Sequence, residues 1–593
     1  MYESQRGTLK RLASARMQRN AQRARHDAPA WLIVHAPPRF HFWQRAVALL
    51  VAVVSFLGPI SFVFEQGRDA AGVLGAGSHR LDDEAWQVIN DLAALRVRFA
   101  MQAAEATPIV DPTAPITFQP KITQSTGAGG GVPVVNITAP NAAGISLNQF
   151  QTFNIDPVGL ILNNSLASGT SLTGGDVAAN PNLNGRTASV IVNQVTSTGS
   201  AFSSLLNGPL EVFGAPATVI IANPNGITTR GTGFTNTVGV TLSTGTPQFL
   251  SGIGGSQVGF DNAQAIGYNV TGGHIQIEGN PGVNGPGAGI EGTVGTIDLI
   301  GATIGVNAPL YAGTRINAIA GVQNVAPTAV DSTGTTWSTS ANGATNTAAA
   351  INAASGGANG GLAIDATAYG AMTAGQIQMI GTAAGMGVRT DAQLAANTGD
   401  ITLSANGDVS MAGTAAQQKV NVQSGGSATL AGSHIGITGY SIAANGDVTS
   451  SGTIQTNGAL TATAGGNLNV ANAQAQGDIA LNAGANATTG DIQAGGNLAV
   501  TAQGHDGAGD VTLSGTTVAT GGTTLNAARD VTINGATSSG SLQATAQRNV
   551  SVNAATQTSG DLALNAATGN LVTTANVNSN GNLALSSGLG TTI

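Results

Sequence analysis

The chain has 593 residues, 84 glycines and no cysteine, with 42% hydrophobic, 4% aromatic and only 8% charged residues. Soluble domains carry roughly 25% charge, so this composition excludes both an ordinary globular enzyme and a high-charge disordered chain. Residues 1–45 hold nine of the 21 Lys+Arg and two acids, which leaves 12 basic against 27 acidic residues beyond them; so acidic a body excludes nucleic acid as its partner.

The basic start (Arg6, Lys10, Arg11, Arg16, Arg19, Arg23, Arg25, Arg39, Arg45) runs into AVALLVAVVSFLGPISFVF at residues 46–64. Basic then apolar is the order of an export signal. A run of this length also suits a retained membrane anchor, although Gly58-Pro59 interrupts it. The signal is the expectation, because everything downstream has an exported composition. The absence of cysteine agrees with a chain that crosses an oxidising space unfolded, where a premature disulfide would block transit. AAGVLGAGS at 70–78 and the AEA before Thr107 both offer small residues for cleavage. Between them Trp86, Ile89, Leu92 and Leu95 recur at helical spacing, which predicts a helix over 81–106 and makes 1–106 a targeting region.

From about Thr117 strand-like runs of four to seven residues alternate with Gly, Asn and Asp. Residues 107–325 form a varied unit that holds two of the few aromatics, Phe150 and Phe153, and uses Asn-Pro-Asn twice. In VIIANPNGITT (219–229), Asn223-Pro224-Asn225-Gly226 fills all four positions of a type I turn, and Asn180-Pro181-Asn182-Leu183 fills three. Residues 326–360 are poor in large apolar side chains and read as a low-complexity insertion. Over 361–593 units such as GDIALNA (Gly477), GNLAVTA (Gly496), GDVTLSG (Gly509) and GDLALNA (Gly560) recur, comparable ones 18 to 21 residues apart (Gly477 to Gly496, Gly490 to Gly509, Gly540 to Gly560, Gly560 to Gly581), and RDVTING and RNVSVNA put Arg529 and Arg548 where the others have Gly. A fixed period near 20 marks a repeat architecture. The units lack the several leucines of a leucine-rich repeat and the length and aromatics of a propeller blade. A parallel β-helix fits: aliphatic residues point inward, Gly-Asp and Gly-Asn make corners, and coils stack about 4.8 Å apart. One coil buries too little to offset the cost of ordering its backbone, about 1–2 kcal/mol per residue; a stack of coils does, provided a cap covers its first edge.

The ordered pair NPNL and NPNGI, the stretch VVNITAPNAAGISLNQFQTFNIDPVGLILNN (134–164) and the block 361–389 resemble the filamentous haemagglutinin family of bacterial exoproteins exported by two-partner secretion. The resemblance covers 107–389, with family-like repeats to Ile593. It implies an all-β fold, a right-handed parallel β-helix (β-solenoid) with an N-terminal cap. It also implies an outer-membrane β-barrel transporter as partner, a secreted or surface-exposed location, and a fibre that serves in adhesion to a host or neighbouring-cell receptor or in delivering a toxin. Carried over by position, the secretion motif is Asn180, Pro181, Asn182, Leu183, Asn223, Pro224, Asn225, Gly226 and Ile227. Residues 1–45 do not clearly match the family's extended signal, and the helix at 81–106 is not a family feature. The sequence stops inside a repeat, at GLGTTI, which reads as a fragment of a longer product or a short member.

No catalytic, metal or cofactor site is expected. His274, His434 and His505 are scattered beside Gly or Ser, unlike the clustered ligands a metal needs, and read as solvated corners. GHDGAGD (504–510) shares letters with a calcium turn but lacks the repeated pattern. GAGGG (127–131) has no Lys-Ser/Thr after it and is not a phosphate loop. A polysaccharide-acting enzyme on a β-helix is the least favoured reading, since such sites cluster Asp, Lys, Arg or His on one face and this chain is poor in them.

Overall fold

The computed structural model describes residues 107–593 apart from 281–286, 293, 332–333 and 355–357. The apolar run at 46–64 and the helix expected over 81–106 lie outside the described residues. In the repeat GDIALNA the letters after the corner form the strand Ile479–Ala483, in which Ile479, Leu481 and Ala483 are buried and Ala480 and Asn482 are half-buried. That period of two is what a sheet with one face on a core requires.

Repetition turns this alternation into a column. Ile401, Val420, Tyr440, Leu460, Ile479, Leu498, Thr523, Leu542, Leu562 and Leu583 stand in parallel register, each bonded strand to strand with the next. Thr523, the polar member, is buried and satisfied by the Ser539 hydroxyl at 2.9 Å. The chain winds as an all-β, right-handed solenoid of about 19 turns. Over 401–494 each coil joins one short strand, such as Ile401–Ala405, to a longer one, such as Val409–Ala416, whose register shifts between Met411 and Gly413 as it bends from one face to the next.

The corners explain the Gly-Asp and Gly-Asn spelling. The Asp447 Oδ1 accepts the backbone N–H of Asn467, one coil on, at 2.6 Å, and Asp478 does the same for Asn497 at 2.7 Å and Asp561 for Asn582 at 2.8 Å. The glycine before each donor is required by close approach: a Cβ on Gly466 would lie 2.2 Å from Asp447 Oδ1. Arg529 and Arg548 replace that glycine by turning outward and pairing with the aspartate of the coil below, Asp510 and Asp530.

The N-terminal end is closed by antiparallel pairs. Ile109–Val110 runs against Ile145–Thr152, and Lys121–Gln124 against Pro133–Asn136, so the first coils meet ready partners instead of open edges. Beneath them Phe150 and Phe153 are fully buried, edge to face at 5.1 Å. The glycine run 127–131 is the turn of the second pair, with Gly127, Gly129 and Gly131 at positive φ.

Beside the solenoid lies a four-stranded antiparallel sheet of Thr246–Leu250, Ala265–Val270, Gln323–Asp331 and Gly334–Ser340. Much of the segment read as a low-complexity insertion is therefore a β-hairpin, followed by a short helix, Ala348–Ala354, whose Ile351 is buried. The hairpin is held by the Trp337 indole N–H, which donates to the buried Asp298 carboxylate at 3.2 Å, and by Arg315, which donates to the Thr335 carbonyl. Burial pushes the Asp298 carboxyl up to about 6, against the lowering pull of Asn317, Trp337, Thr241 and Arg315.

Candidate functional site: two asparagine clamps

Both Asn-Pro-Asn segments build the same device. The first Asn accepts, on its side-chain oxygen, the backbone N–H of the second: Asn180 from Asn182 at 2.9 Å, and Asn223 from Asn225 at 3.0 Å. This is an Asx turn, with Pro supplying the fixed φ between the two. The freed amide of the first Asn then reaches earlier chain. Asn180 Nδ2 donates to the carbonyls of Ile137 (3.0 Å) and Asn163 (2.8 Å). Asn223 Nδ2 donates to the Phe202 carbonyl (2.8 Å) and the Ser204 hydroxyl (2.9 Å). The second Asn adds a further strap, Asn182 to the Asn136 carbonyl at 3.0 Å and Asn225 to that of Ser197 at 2.8 Å. Leu183 and Ile227, which follow, are sunk in the core.

The two differ in detail. Asn223–Gly226 closes with the Gly226 N–H on the Asn223 carbonyl at 3.1 Å, as a type I turn does, and Gly226 sits at φ +116°. Pro181–Leu183 is a turn of 3₁₀ helix capped by Asn180, with Asn184 left-handed after it. The clamps share no hydrogen-bond partner, so each fastens its own corner. Asn180 and Asn223 are buried, at 5% and 0% exposure, whereas Pro181 is exposed and Asn182 and Asn225 are half-buried.

The groups being clamped are mostly main-chain carbonyls, and no letter announces them. Three further asparagines escaped the sequence reading. Asn163 donates to Asn136 Oδ1 at 2.8 Å, and Asn164 bridges the carbonyls of Ala188 and Ala215 while accepting the Ala188 N–H. The available signal is an Asn ending an apolar triplet, as in PVVN and LILNN.

The remaining candidates are structural. His434 is a correction: it is fully buried, with one ring nitrogen 2.8 Å from the Ala431 carbonyl and its ring edge-on to Tyr440. A Thr414 hydroxyl and a large neighbouring ring give it an interior place that its Ser and Ile neighbours in sequence do not reveal. His274 also leaves the expected solvated corner; it lies in a strand with its ring nitrogens on Thr303 and Gln276, and burial pushes its imidazole down. His505 is exposed on a 3₁₀ turn. GHDGAGD occupies an enlargement of one coil, in which the step from Leu498 to Thr523 is 25 residues instead of 19 to 21, and its Asp510 is taken by Arg529. Among the described residues no three His, Cys, Asp or Glu converge as metal ligands.

The fold and the clamps together define a capped β-solenoid whose polar side chains serve stacking. The model of the TPS secretion domain matches residues 107–411, and that of the hemagglutinin repeat matches 482–593. The chain belongs to the TPS secretion domain family, whose exoproteins are exported across the outer membrane to the cell surface or beyond, and neither matched domain is catalytic. It is 36% identical over 326 residues to Toxin CdiA of Yersinia pestis, covering 54% of this chain and 9% of that one. It is 36% identical over 298 residues to the Filamentous hemagglutinin of Bordetella pertussis, covering 50% and 7%. The crystal structure of the filamentous hemagglutinin secretion domain aligns over 62% of this chain and 99% of that one, at 27% identity and a TM-score of 0.40. The chain thus spans less than a fifth of the length of the curated relatives it matches.

Proposed function

We propose that this chain is the export-directing and proximal fibre part of an adhesin-like exoprotein, moved through the outer membrane by a β-barrel transporter, and that the two Asn-Pro-Asn clamps make its folding outside the cell productive. The observation that carries this reading is that both clamps fall inside the span matched by the TPS secretion domain. Each turn closes locally and fastens chain 17 to 46 residues earlier, so closure fixes the first coils before the repeats arrive. The burial of Asn180 and Asn223 favours a folding role over direct contact of the folded motif with the transporter. The experiment is export of Asn225→Ala in cells carrying the cognate transporter. Surface protein is expected to fall several-fold and the unexported chain to be degraded in the periplasm; export at the parental rate would refute the role.

The delivery stalk of a contact-dependent toxin is the second reading, favoured by the resemblance to Toxin CdiA. The gene's sequence beyond Ile593 separates the two. A compact charged terminal domain followed by a small immunity gene identifies a stalk, and continued repeats identify an adhesive fibre.

A further inference from the structure

Charged side chains are rare in this solenoid, yet several gather on one face, along the strands His274–Glu278, Thr303–Val306, Leu362–Ala366 and Gly387–Ala396. Parallel register aligns Gln276, Gly305, Asp365 and Arg389 in one outward column. Gly305 contributes no side chain, so the column is notched between Gln276 and Asp365. The notch opens into a trough of about 510 Å³ whose lining includes Glu278, Asn307 and Thr367. Three rungs of about 4.8 Å give it a length of roughly 14 Å, and its volume is in the range of small-molecule sites, about 300–1,000 Å³.

The lining is a preset network of planar polar groups. Glu278 accepts from Gln276 at 2.9 Å and from Asn307 at 2.9 Å; the Thr367 hydroxyl donates to Asn307 Oδ1 at 2.6 Å; Arg389 grips Asp365 through two bonds of 2.9 Å. Each carboxylate and carboxamide keeps lone pairs or N–H groups for a hydroxyl-rich guest, and their orientations are fixed before binding. Asp391 stands on the far side of Arg389, and Arg230 one rung above Glu278. Three carboxylates against two guanidiniums, one already committed to Asp365, disfavour an anionic guest. At the corner beyond Thr367 stand two half-exposed tyrosines on adjacent rungs, Tyr369 in the turn that the Gly370 N–H closes on Thr367, and Tyr311 beside Thr373. The other two described tyrosines, Tyr268 and Tyr440, are fully buried. An exposed aromatic ring two residues past the trough-lining Thr367 suits a guest with apolar C–H faces and many hydroxyls.

We propose that this trough binds an uncharged oligosaccharide, with Glu278, Asn307 and Asp365 reading its hydroxyls and Tyr369 stacking on a sugar ring. The proposal rests on the adhesive reading for its biological setting only, since it is tested on purified protein without export. The 593-residue chain is applied to an array of neutral hexose and N-acetylhexosamine oligosaccharides printed beside sialylated and sulfated ones, and any neutral glycan retained is titrated. Binding to neutral glycans is expected. Gly305→Gln, which fills the notch, and Tyr369→Ala, at an exposed site, are each expected to weaken it at least tenfold with an unchanged far-ultraviolet spectrum. Retention of no neutral glycan, retention of anionic glycans alone, or neutral binding that both substitutions leave intact would overturn the proposal.

Discussion

At Asn223 one carboxamide holds two acceptors from an earlier segment and closes its own turn, all without exposure to water. Removing it takes the donor from the half-buried Phe202 carbonyl and from the buried Ser204 hydroxyl, and an unsatisfied buried group costs about 1–3 kcal/mol. Asn223→Ala is therefore expected to lower the urea midpoint by the equivalent of about 2–3 kcal/mol. Pro181→Ala, at an exposed position whose φ Ala can adopt, is expected to cost less than about 1 kcal/mol. Equal effects of the two would show that the buried clamp is not the energetic element. Asp298 gives a pH test. Its carboxyl is raised to about 6 by burial, against about 3.9 in an unfolded chain. The folded state then binds the proton more tightly, so this contribution is complete below about pH 4 and is lost as pH rises through 6. A two-unit shift corresponds to on the order of 3 kcal/mol. Urea midpoints at pH 4, 6 and 8 are expected to fall more steeply for the parent than for Asp298→Asn, which keeps an acceptor for Asn317 and Trp337 without the charge. Parallel profiles would remove Asp298 as the source.

Among elements, the corner ladder has a coupling that can be measured. A methyl on Gly466 collides with Asp447 Oδ1, whereas Asp447→Ala removes the obstacle and also the acceptor of the Asn467 N–H. Gly466→Ala and Asp447→Ala are each expected to destabilise by about 1–3 kcal/mol, and the double variant by clearly less than their sum, since residues in contact couple by about 0.5–3 kcal/mol. Strict additivity would mean that the glycine is there for some reason other than the ladder. This ladder is also why the repeats were legible: a rule that binds each coil to the next must be spelled in every coil, as at Gly477-Asp478 and Gly496-Asn497. The clamps were half legible. Their Asn-Pro-Asn turns are local and visible, but the partners of Asn180 are the carbonyls of Ile137 and Asn163, which any residue supplies. The hairpin at 323–340 was hidden because its strands are poor in large apolar residues and depend on docking, above all of Trp337 on Asp298. His434 was misplaced for a related reason: what buries it is Tyr440, on the next strand, and Thr414, one coil back.

Over the whole molecule the two ends of the stack are not equivalent. In a solenoid each coil contacts only its neighbours, so stability is nearly a sum over adjacent pairs. The first coils differ because Ile109–Val110 and Lys121–Gln124 run antiparallel to them and take up hydrogen-bonding edges that no earlier coil can occupy. Their covering also fixes the packing of Phe150, which lies opposite Val110. A chain ending at Gly495 should therefore keep its fold, with a similar midpoint and an m-value lower by about a fifth, since m follows the surface exposed on unfolding. A chain lacking residues 109–124 loses a far smaller share of its length, yet it exposes paired edges and the aromatic cluster together. It is expected to refold poorly from urea and to aggregate, because an open parallel edge templates further strands. The comparison is made by dilution from urea, with far-ultraviolet dichroism for recovered strand and light scattering for aggregate. Equal recovery of the two truncated chains would show that the cap is dispensable and that any coil can start the stack.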